Sequence, residues 1–332
     1  MKIGKQTFLF NNVYLQTGAS VVGIKEGQGP LKDYFDLILK DDKWCEDSFE
    51  KAERKMFKEA LELAKNKANL TNEQVDMIFG GDLLNQIISA SFASREMDTV
   101  FFGLYGACST ICESILLASC MVEGGFANNV LCGASSHFST AERQYRFPLE
   151  YGSSPTPTSQ WTVTGAGASV ISDKPSNIKI VAGTAGKIID LGIKDANNMG
   201  AAMAPAAADT ISTFLKETKT QPNDYDLILT GDLGSFGKEL MIKLMADKGY
   251  DISSVYNDCG CMIFYKDQTA PMGASGCGCA ATVFNGAVRQ DMEDNKVKNV
   301  LLAATGAMLS PISSFQGESI PGISYVINFR RV

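Results

Sequence analysis

Cys108 stands in Leu104-Tyr-Gly-Ala-Cys-Ser-Thr-Ile-Cys-Glu-Ser, where a glycine-bearing turn runs into an apolar helical stretch. A cysteine at a helix N-terminus meets the positive end of the dipole and free backbone N–H groups, which lower a thiol pKa toward thiolate. That is a nucleophile's setting. A small buried residue filling a crowded turn gives the same pattern, so residue type leaves both readings open. His137 is the single histidine of 332 residues, which leaves few arrangements for acid–base catalysis. It lies in Ser135-Ser-His-Phe-Ser-Thr-Ala-Glu-Arg-Gln-Tyr-Arg-Phe-Pro, a polar and aromatic block carrying Arg143 and Arg146. The block directly follows an apolar strand, the place where α/β folds put ligands. A lone histidine serves equally as a structural hydrogen-bonding group, and the arginines as surface partners of Glu142 and Glu150. Asp82 and Asp232 each end an apolar phrase, where a carboxylate can hold a cation or cap the following turn. Capping is the simpler reading.

The nine cysteines are an odd number and lie in apolar or Gly/Ala-rich runs, which reads as reduced thiols rather than a disulfide framework. Two C-x-C pairs, Cys259/Cys261 and Cys277/Cys279, are off the C-x₂₋₄-C spacing of structural zinc sites, so no metal is expected. Methionine-bearing stretches such as Met199–Met203 and Met241–Met245 read as helix or core positions.

These residues are positioned by a repeated scaffold. Asp76 opens D-M-I-F-G-G-D-L-L and, 150 residues later, Asp226 opens D-L-I-L-T-G-D-L-G. A second echo pairs Asn129-Val-Leu-Cys-Gly-Ala-Ser-Ser with Asn299-Val-Leu-Leu-Ala-Ala-Thr-Gly. Two ordered matches per half point to duplication, with halves over residues 1–175 and 176–332. Residues 26–45 have no second-half counterpart and read as an insertion. Strands are expected at Ile3–Leu9, Val13–Ile24, Val75–Gly80, Val130–Ser135, Gly165–Ser172, Ile178–Ala185, Leu227–Thr230, Val300–Thr305 and Ser324–Phe329. Helices are expected at Phe49–Ala68, Leu84–Phe92, Cys108–Val122, Thr140–Gln144, Ala206–Thr218, Phe236–Lys248 and Cys277–Asp291. The alternation is that of an α/β protein.

Composition agrees with a globular chain. Hydrophobic residues are 45% and charged residues 20%, which excludes a disordered chain. The formal net charge of −7 argues against broad binding to nucleic acid or anionic lipid. The N-terminus lacks the apolar core and cleavage site of a signal peptide. The uncharged stretches are too rich in Gly, Ser and Pro to span a bilayer. A soluble chain is expected.

The G-A-C-S-T turn at a helix start, with duplicated halves, resembles the thiolase and ketoacyl-synthase superfamily, whose nucleophilic cysteine occupies this position. Trp161-Thr-Val-Thr-Gly-Ala-Gly-Ala-Ser-Val is similar to its D-G-A-G-A strand, and Ala270-Pro-Met-Gly-Ala-Ser-Gly-Cys to its G-H-P-x-G-A-S-G loop. The resemblance implies a thiolase-like five-layered αβαβα fold. Where the superfamily places its second-half histidines, this chain has Thr230-Gly-Asp-Leu-Gly and Ala270. Catalytic groups act as a unit, so their absence argues against standard condensation or thiolysis.

The long phrase around His137 resembles one branch closely, the stage V sporulation protein AD family. Gly29-Pro-Leu-x-Asp-Tyr-Phe-Asp, Gly81-Asp-Leu-Leu-Asn-Gln, Ser159-Gln-Trp-Thr-Val-Thr-Gly and Pro271-Met-Gly-Ala-Ser-Gly-Cys-Gly-Cys are similar too. The resemblance implies non-catalytic binding of dipicolinic acid, alone or as its calcium chelate, for uptake into the developing spore. It also implies membrane-embedded partners from the same sporulation operon, peripheral attachment at the spore inner membrane, and a homodimer formed through Thr99–Leu104. No cofactor is expected. A flat aromatic dianion needs donors around its carboxylates and an apolar slot for its ring. Cys108, Ser109, Thr110, His137, Arg143, Arg146, Asp82, Asp232 and Ser275 are the candidate binding residues. Two rivals remain: an acyltransferase using Cys108 with His137 as base, and a ligand-free scaffold for the membrane complex.

Overall fold

A computed structural model describes residues 1–145 and 154–332. The strands are β1 (Lys2–Ile3), β2 (Thr7–Leu9), β3 (Tyr14–Val22), β4 (Leu37–Ile38), β5 (Met77–Gly81), β6 (Val100–Gly103), β7 (Asn129–Ser136), β8 (Trp161–Thr162), β9 (Gly165–Ser172), β10 (Ile178–Ala185), β11 (Leu227–Thr230), β12 (Tyr256–Asp258), β13 (Ala274–Ser275), β14 (Asn299–Ala307) and β15 (Gly322–Arg331). The helices are α1 (Phe49–Lys67), α2 (Ile88–Arg95), α3 (Thr110–Glu123), α4 (Phe138–Tyr145), α5 (Met199–Thr218), α6 (Gly234–Asp247), α7 (Cys277–Val283), α8 (Arg289–Glu293) and α9 (Pro311–Phe315).

The main sheet runs β12-β11-β14-β15-β10-β3-β9-β7-β5-β6. Read from either end, two parallel pairings are followed by two antiparallel ones, and the two runs meet at the β3–β10 pair. The repeat extends to single hydrogen bonds. The Asp76 carboxylate accepts from the Asn128 and Asn129 N–H groups at 2.6 and 2.9 Å. Asp226 does the same for Lys298 and Asn299 at 2.7 and 2.9 Å. The sequence echo is therefore a repeated anchor that starts β7 and β14.

Side chains alternate across each strand. Val300, Leu302 and Ala304 of β14 join a central core with α3 and α7, while Leu301 and Ala303 join an outer core with α5 and α6. In the other half Val130, Cys132 and Ala134 face the central core and Leu131 faces α1 and α2. Five layers result, helix–sheet–helix–sheet–helix, with α3 and α7 in the middle. The central layer is tight because glycines let backbones touch. A Cβ on Gly167 would lie 2.3 Å from the Ala281 carbonyl oxygen, and one on Gly278 2.4 Å from that of Gly165.

Local boundaries moved for identifiable reasons. The first expected strand is the β1–β2 hairpin, broken at Gly4, whose φ is +58°. The helix expected from Leu84 begins at Ile88, because the Asp82 carboxylate holds the intervening turn. The helix expected from Cys108 begins at Thr110, after a 3₁₀ turn over Ala107–Ser109. The last expected helix runs from Cys277 to Glu293 through a π turn at Phe284–Val288. The segment expected as an insertion docks back: β4 pairs with β3, and the Glu26 carboxylate accepts from the Thr164 N–H at 3.0 Å.

Candidate functional site

The site grows from the ends of the inner strands. Ala107 adopts a left-handed φ of 51° in the turn between β6 and α3, and Cys108 follows it at the cavity wall. Opposite it, β13 pairs in parallel with β8, setting Ser275 beside Thr162. Between them lies a cavity of about 560 Å³, a size that suits a small organic ligand. One half of the chain contributes Leu83, Asn85, Tyr105, Ala107, Cys108, Ala141, Gln144, Tyr145 and Thr162. The other contributes Met199, Ser275, Gly276 and the run Ala307–Ile312. Among the described residues no Lys, Arg, His, Asp or Glu lines it.

Several polar lining groups are held in place. The Gln144 side-chain oxygen accepts from the Asn85 N–H at 2.9 Å, and its nitrogen donates to the Leu83 carbonyl at 3.0 Å. The Tyr145 hydroxyl donates to that same carbonyl. Gln160, just before β8, donates to the Asp232 and Ala274 carbonyls at 2.5 and 3.0 Å. That bond ties the β8–β13 wall to the end of β11.

Two sequence candidates, Cys108 and Ser275, line the cavity. The other described candidates lie elsewhere. Ser109 and Thr110 donate their hydroxyls to the Gly106 and Ala107 carbonyls at 2.6 and 2.7 Å, bracing the turn from inside. His137 is 1% exposed. Its Nδ1 accepts from the Ser139 N–H at 3.1 Å and its Nε2 donates to the Asp42 carbonyl at 2.8 Å. Burial lowers its pKa, so it is a neutral helix-start residue and no cation. Both nitrogens are occupied by these two backbone bonds. Arg143 pairs with Glu50 at 2.8 Å on the surface. Arg146 falls outside the described residues.

Asp82 and Asp232 occupy matching places after β5 and β11, with different work. Asp82 accepts from the Leu84 and Ala90 N–H groups, both at 2.8 Å, capping the turn and α2. In the second half that task belongs to Asp258, which accepts from Leu233 and Gly234 at 3.0 and 2.9 Å. Burial raises both carboxyls to about 6. Neither oxygen of Asp232 has a partner.

Of the two readings left open at Cys108, the structure favours the buried thiol over the thiolate. The residue is 6% exposed. Burial and then the nearby Asp232 push its pKa well above the usual thiol range, outweighing the Gly276 and Cys108 N–H groups that favour charge. Desolvation beats the helix terminus because α3 starts only at Thr110 and the turn is sealed on the inner side. The neighbouring thiols are engaged separately: Cys277 donates to the Ala107 carbonyl at 2.8 Å and Cys279 to that of Gly231 at 3.2 Å.

The lining residues missed by sequence reasoning include Gln144 and Tyr145. They sit in the phrase already singled out, and with Ala141 they share one helical face by i, i+3, i+4 spacing. Charge drew the eye to Arg143, which points the other way. Tyr105, Met308, Leu309 and Ile312 carried no signal beyond apolarity.

The family model for Stage V sporulation protein AD (SpoVAD) matches residues 4–330. The stage V sporulation protein AD of Bacillus subtilis (strain 168) is 42% identical over 329 residues, covering 99% of this chain and 97% of that one. The chain belongs to the stage V sporulation protein AD family. Solved structures similar to this family member are enzymes of the thiolase type. A single-residue variant of OleA from Xanthomonas campestris aligns with a TM-score of 0.64 at 14% identity, covering 97% of this chain and 99% of that one. The 3-oxoacyl-[acyl-carrier-protein] synthase III of Aquifex aeolicus VF5 gives 0.59 at 14%, over 96% and 99%. Human mitochondrial 3-ketoacyl-CoA thiolase in complex with CoA gives 0.59 at 14%, over 99% and 100%. At that identity they establish the thiolase-like fold, and function must be argued from the site. Among the described residues no helix is long and apolar enough to cross a membrane.

Proposed function

We propose that this sporulation protein binds dipicolinic acid in the Cys108 cavity and passes it to membrane-embedded proteins of the same sporulation operon. It does so at the spore inner membrane, without carbon–carbon chemistry. The observation that carries the reading is the cavity itself: a ligand-sized slot kept by a chain of this family, faced by a protonated Cys108 and without an acid–base partner from His137. Tyr105, Leu83 and Met308 offer apolar surface to a pyridine ring. Asn85, Gln144, Thr162, Ser275 and Ser310 offer neutral polar groups to two carboxylates.

The described lining has no ionised side chain, so among the described residues a free dianion finds no countercharge to offset its lost hydration. The one-to-one calcium chelate carries no net charge and suits such a slot better. Calcium then travels with the ligand, and Asp82, whose oxygens are committed to caps, does not hold it. The reading extends to a homodimer, because Val100 and Phe102 of the edge strand β6 are 55% and 44% exposed and a second copy would cover that edge.

Competition binding of dipicolinate to four variants tests the site. Ser275→Leu, which fills the cavity, and Tyr145→Ala, which removes its wall, should each weaken binding about tenfold or more, roughly 1.4 kcal/mol. His137→Asn and Arg143→Ala should leave it unchanged. The reverse pattern would move the site to the α4 surface.

A further inference from the structure

Glu53 of α1 is 0% exposed, and its partners are two buried hydroxyls. Its Oε1 lies 3.2 Å from Ser135 Oγ at the end of β7, and its Oε2 lies 2.8 Å from Thr140 Oγ in the first turn of α4. The Thr140 hydroxyl has a single hydrogen and two neighbours for it, since its Oγ also stands 3.0 Å from the His137 carbonyl. A hydroxyl can donate once and still accept. The count closes when Thr140 donates to His137 and accepts from a protonated Glu53, while Ser135 donates to the other carboxyl oxygen. The charges facing Glu53 agree. Asp82, at the end of β5, has its oxygens fixed as acceptors by the Leu84 and Ala90 N–H groups. Glu50 lies one turn back on α1, and on α4 Arg143 is taken up by Glu50 while His137 is neutral. Burial, and then Asp82, hold the Glu53 carboxyl well above the usual carboxylate range.

What Glu53 grips is a wall of the cavity. Helix α4 spans only eight residues, and three of them, Ala141, Gln144 and Tyr145, line the slot. Thr140 sits one turn before Gln144, whose side chain holds Asn85 and Leu83. The Glu50–Arg143 pair also joins α1 to α4, but it is exposed to solvent and such pairs contribute little. We propose that Glu53 is a protonated positioning residue: it donates to Thr140, so holds the α4 wall of the Cys108 cavity, and its ionisation loosens that wall. Ionisation would remove the donated bond and set a second buried charge near Asp82, and both changes are costly out of water. A carboxyl raised on folding gives its full support at low pH and loses it as pH rises through the folded value. The proposal rests on the reading of the cavity as the dipicolinate site and deepens it, because the grip on the ligand weakens as pH rises.

Amide hydrogen exchange of the full chain, followed by mass spectrometry over residues 138–145 with α5 as the reference for global stability, tests the positioning without any ligand. Variants are compared with wild type at the same pH, so the intrinsic pH dependence of exchange and the other titrating groups are common to both. Glu53→Ala should exchange residues 138–145 about tenfold faster than wild type at about pH 6, with α5 unchanged. Glu53→Gln can donate to Thr140 at every pH. It should match wild type at about pH 6 and exchange about threefold more slowly than wild type at about pH 9. A Glu53→Gln chain that differs from wild type by the same factor at both pH values overturns the proposal, as does wild-type protection in Glu53→Ala. Dipicolinate affinity should follow the same order, falling about tenfold in Glu53→Ala and less with rising pH in Glu53→Gln than in wild type. Affinity indifferent to both variants would overturn the link to the cavity. Absence of dipicolinate binding in the wild-type chain would sink the cavity reading alone, and the exchange rates would still decide the role of Glu53.

Discussion

Glu26 is 1% exposed, and burial raises its carboxyl to about 8 against the Thr164 N–H that favours charge. A carboxyl raised on folding binds its proton more tightly in the native state. Its stabilising contribution is complete below the unfolded value near 4.5 and is lost as pH rises through about 8. Glutamine can keep the side-chain oxygen that accepts from Thr164. The Tm of Glu26→Gln should therefore gain on wild type between pH 5 and pH 9, by on the order of 4 kcal/mol in stability at the upper end. A constant Tm difference across that range would contradict the assignment. At this scale residue type was a partial guide. Cys108 and Ser275 were legible because their phrases mark a turn and a loop that meet. His137 and Arg143 misled because sequence shows that a group can carry charge but not whether a neighbour already holds it. Asp82 and Asp232 look identical in sequence and separate only when Asp258, from a three-residue strand, takes the second capping role.

Among the elements, α7 packs backbone to backbone against β9. Its first turns lie against β9 with no room for side chains at Gly167 or Gly278, and the obstructing atoms are backbone carbonyls that cannot swing away. Gly167→Val should destabilise by about 3 kcal/mol or more through overpacking, read as a lower denaturation midpoint. Wild-type stability in that variant would mean that α7 and β9 are not packed as described. The long periodic helices α1 and α5 were legible because a face of Ala, Met, Phe and Leu at three- and four-residue spacing must be buried. The strand β12 and the β8–β13 ladder were not. Runs of two or three residues give no period to read, and β8 and β13 lie far apart in the chain.

For the whole molecule, duplication was the most legible feature because it is written twice, down to the asparagines that follow each strand anchor. The cavity was not, because it forms where the halves meet and its walls come from loops with no common pattern. The dimer belongs to this scale. Phe102→Lys on β6 should leave thermal stability nearly unchanged at low concentration while shifting sedimentation from dimer to monomer. A dimer indifferent to that charge would need another interface.

If the Cys108 cavity receives dipicolinate and not acyl thioesters, as proposed, calorimetric titration of the purified chain with dipicolinate, with and without calcium, will show it, with phthalate and acetyl-CoA as controls. Saturable, near-stoichiometric heat for dipicolinate, tighter with calcium and absent for both controls, is the predicted result. No dipicolinate heat beside a clear acetyl-CoA response would contradict it.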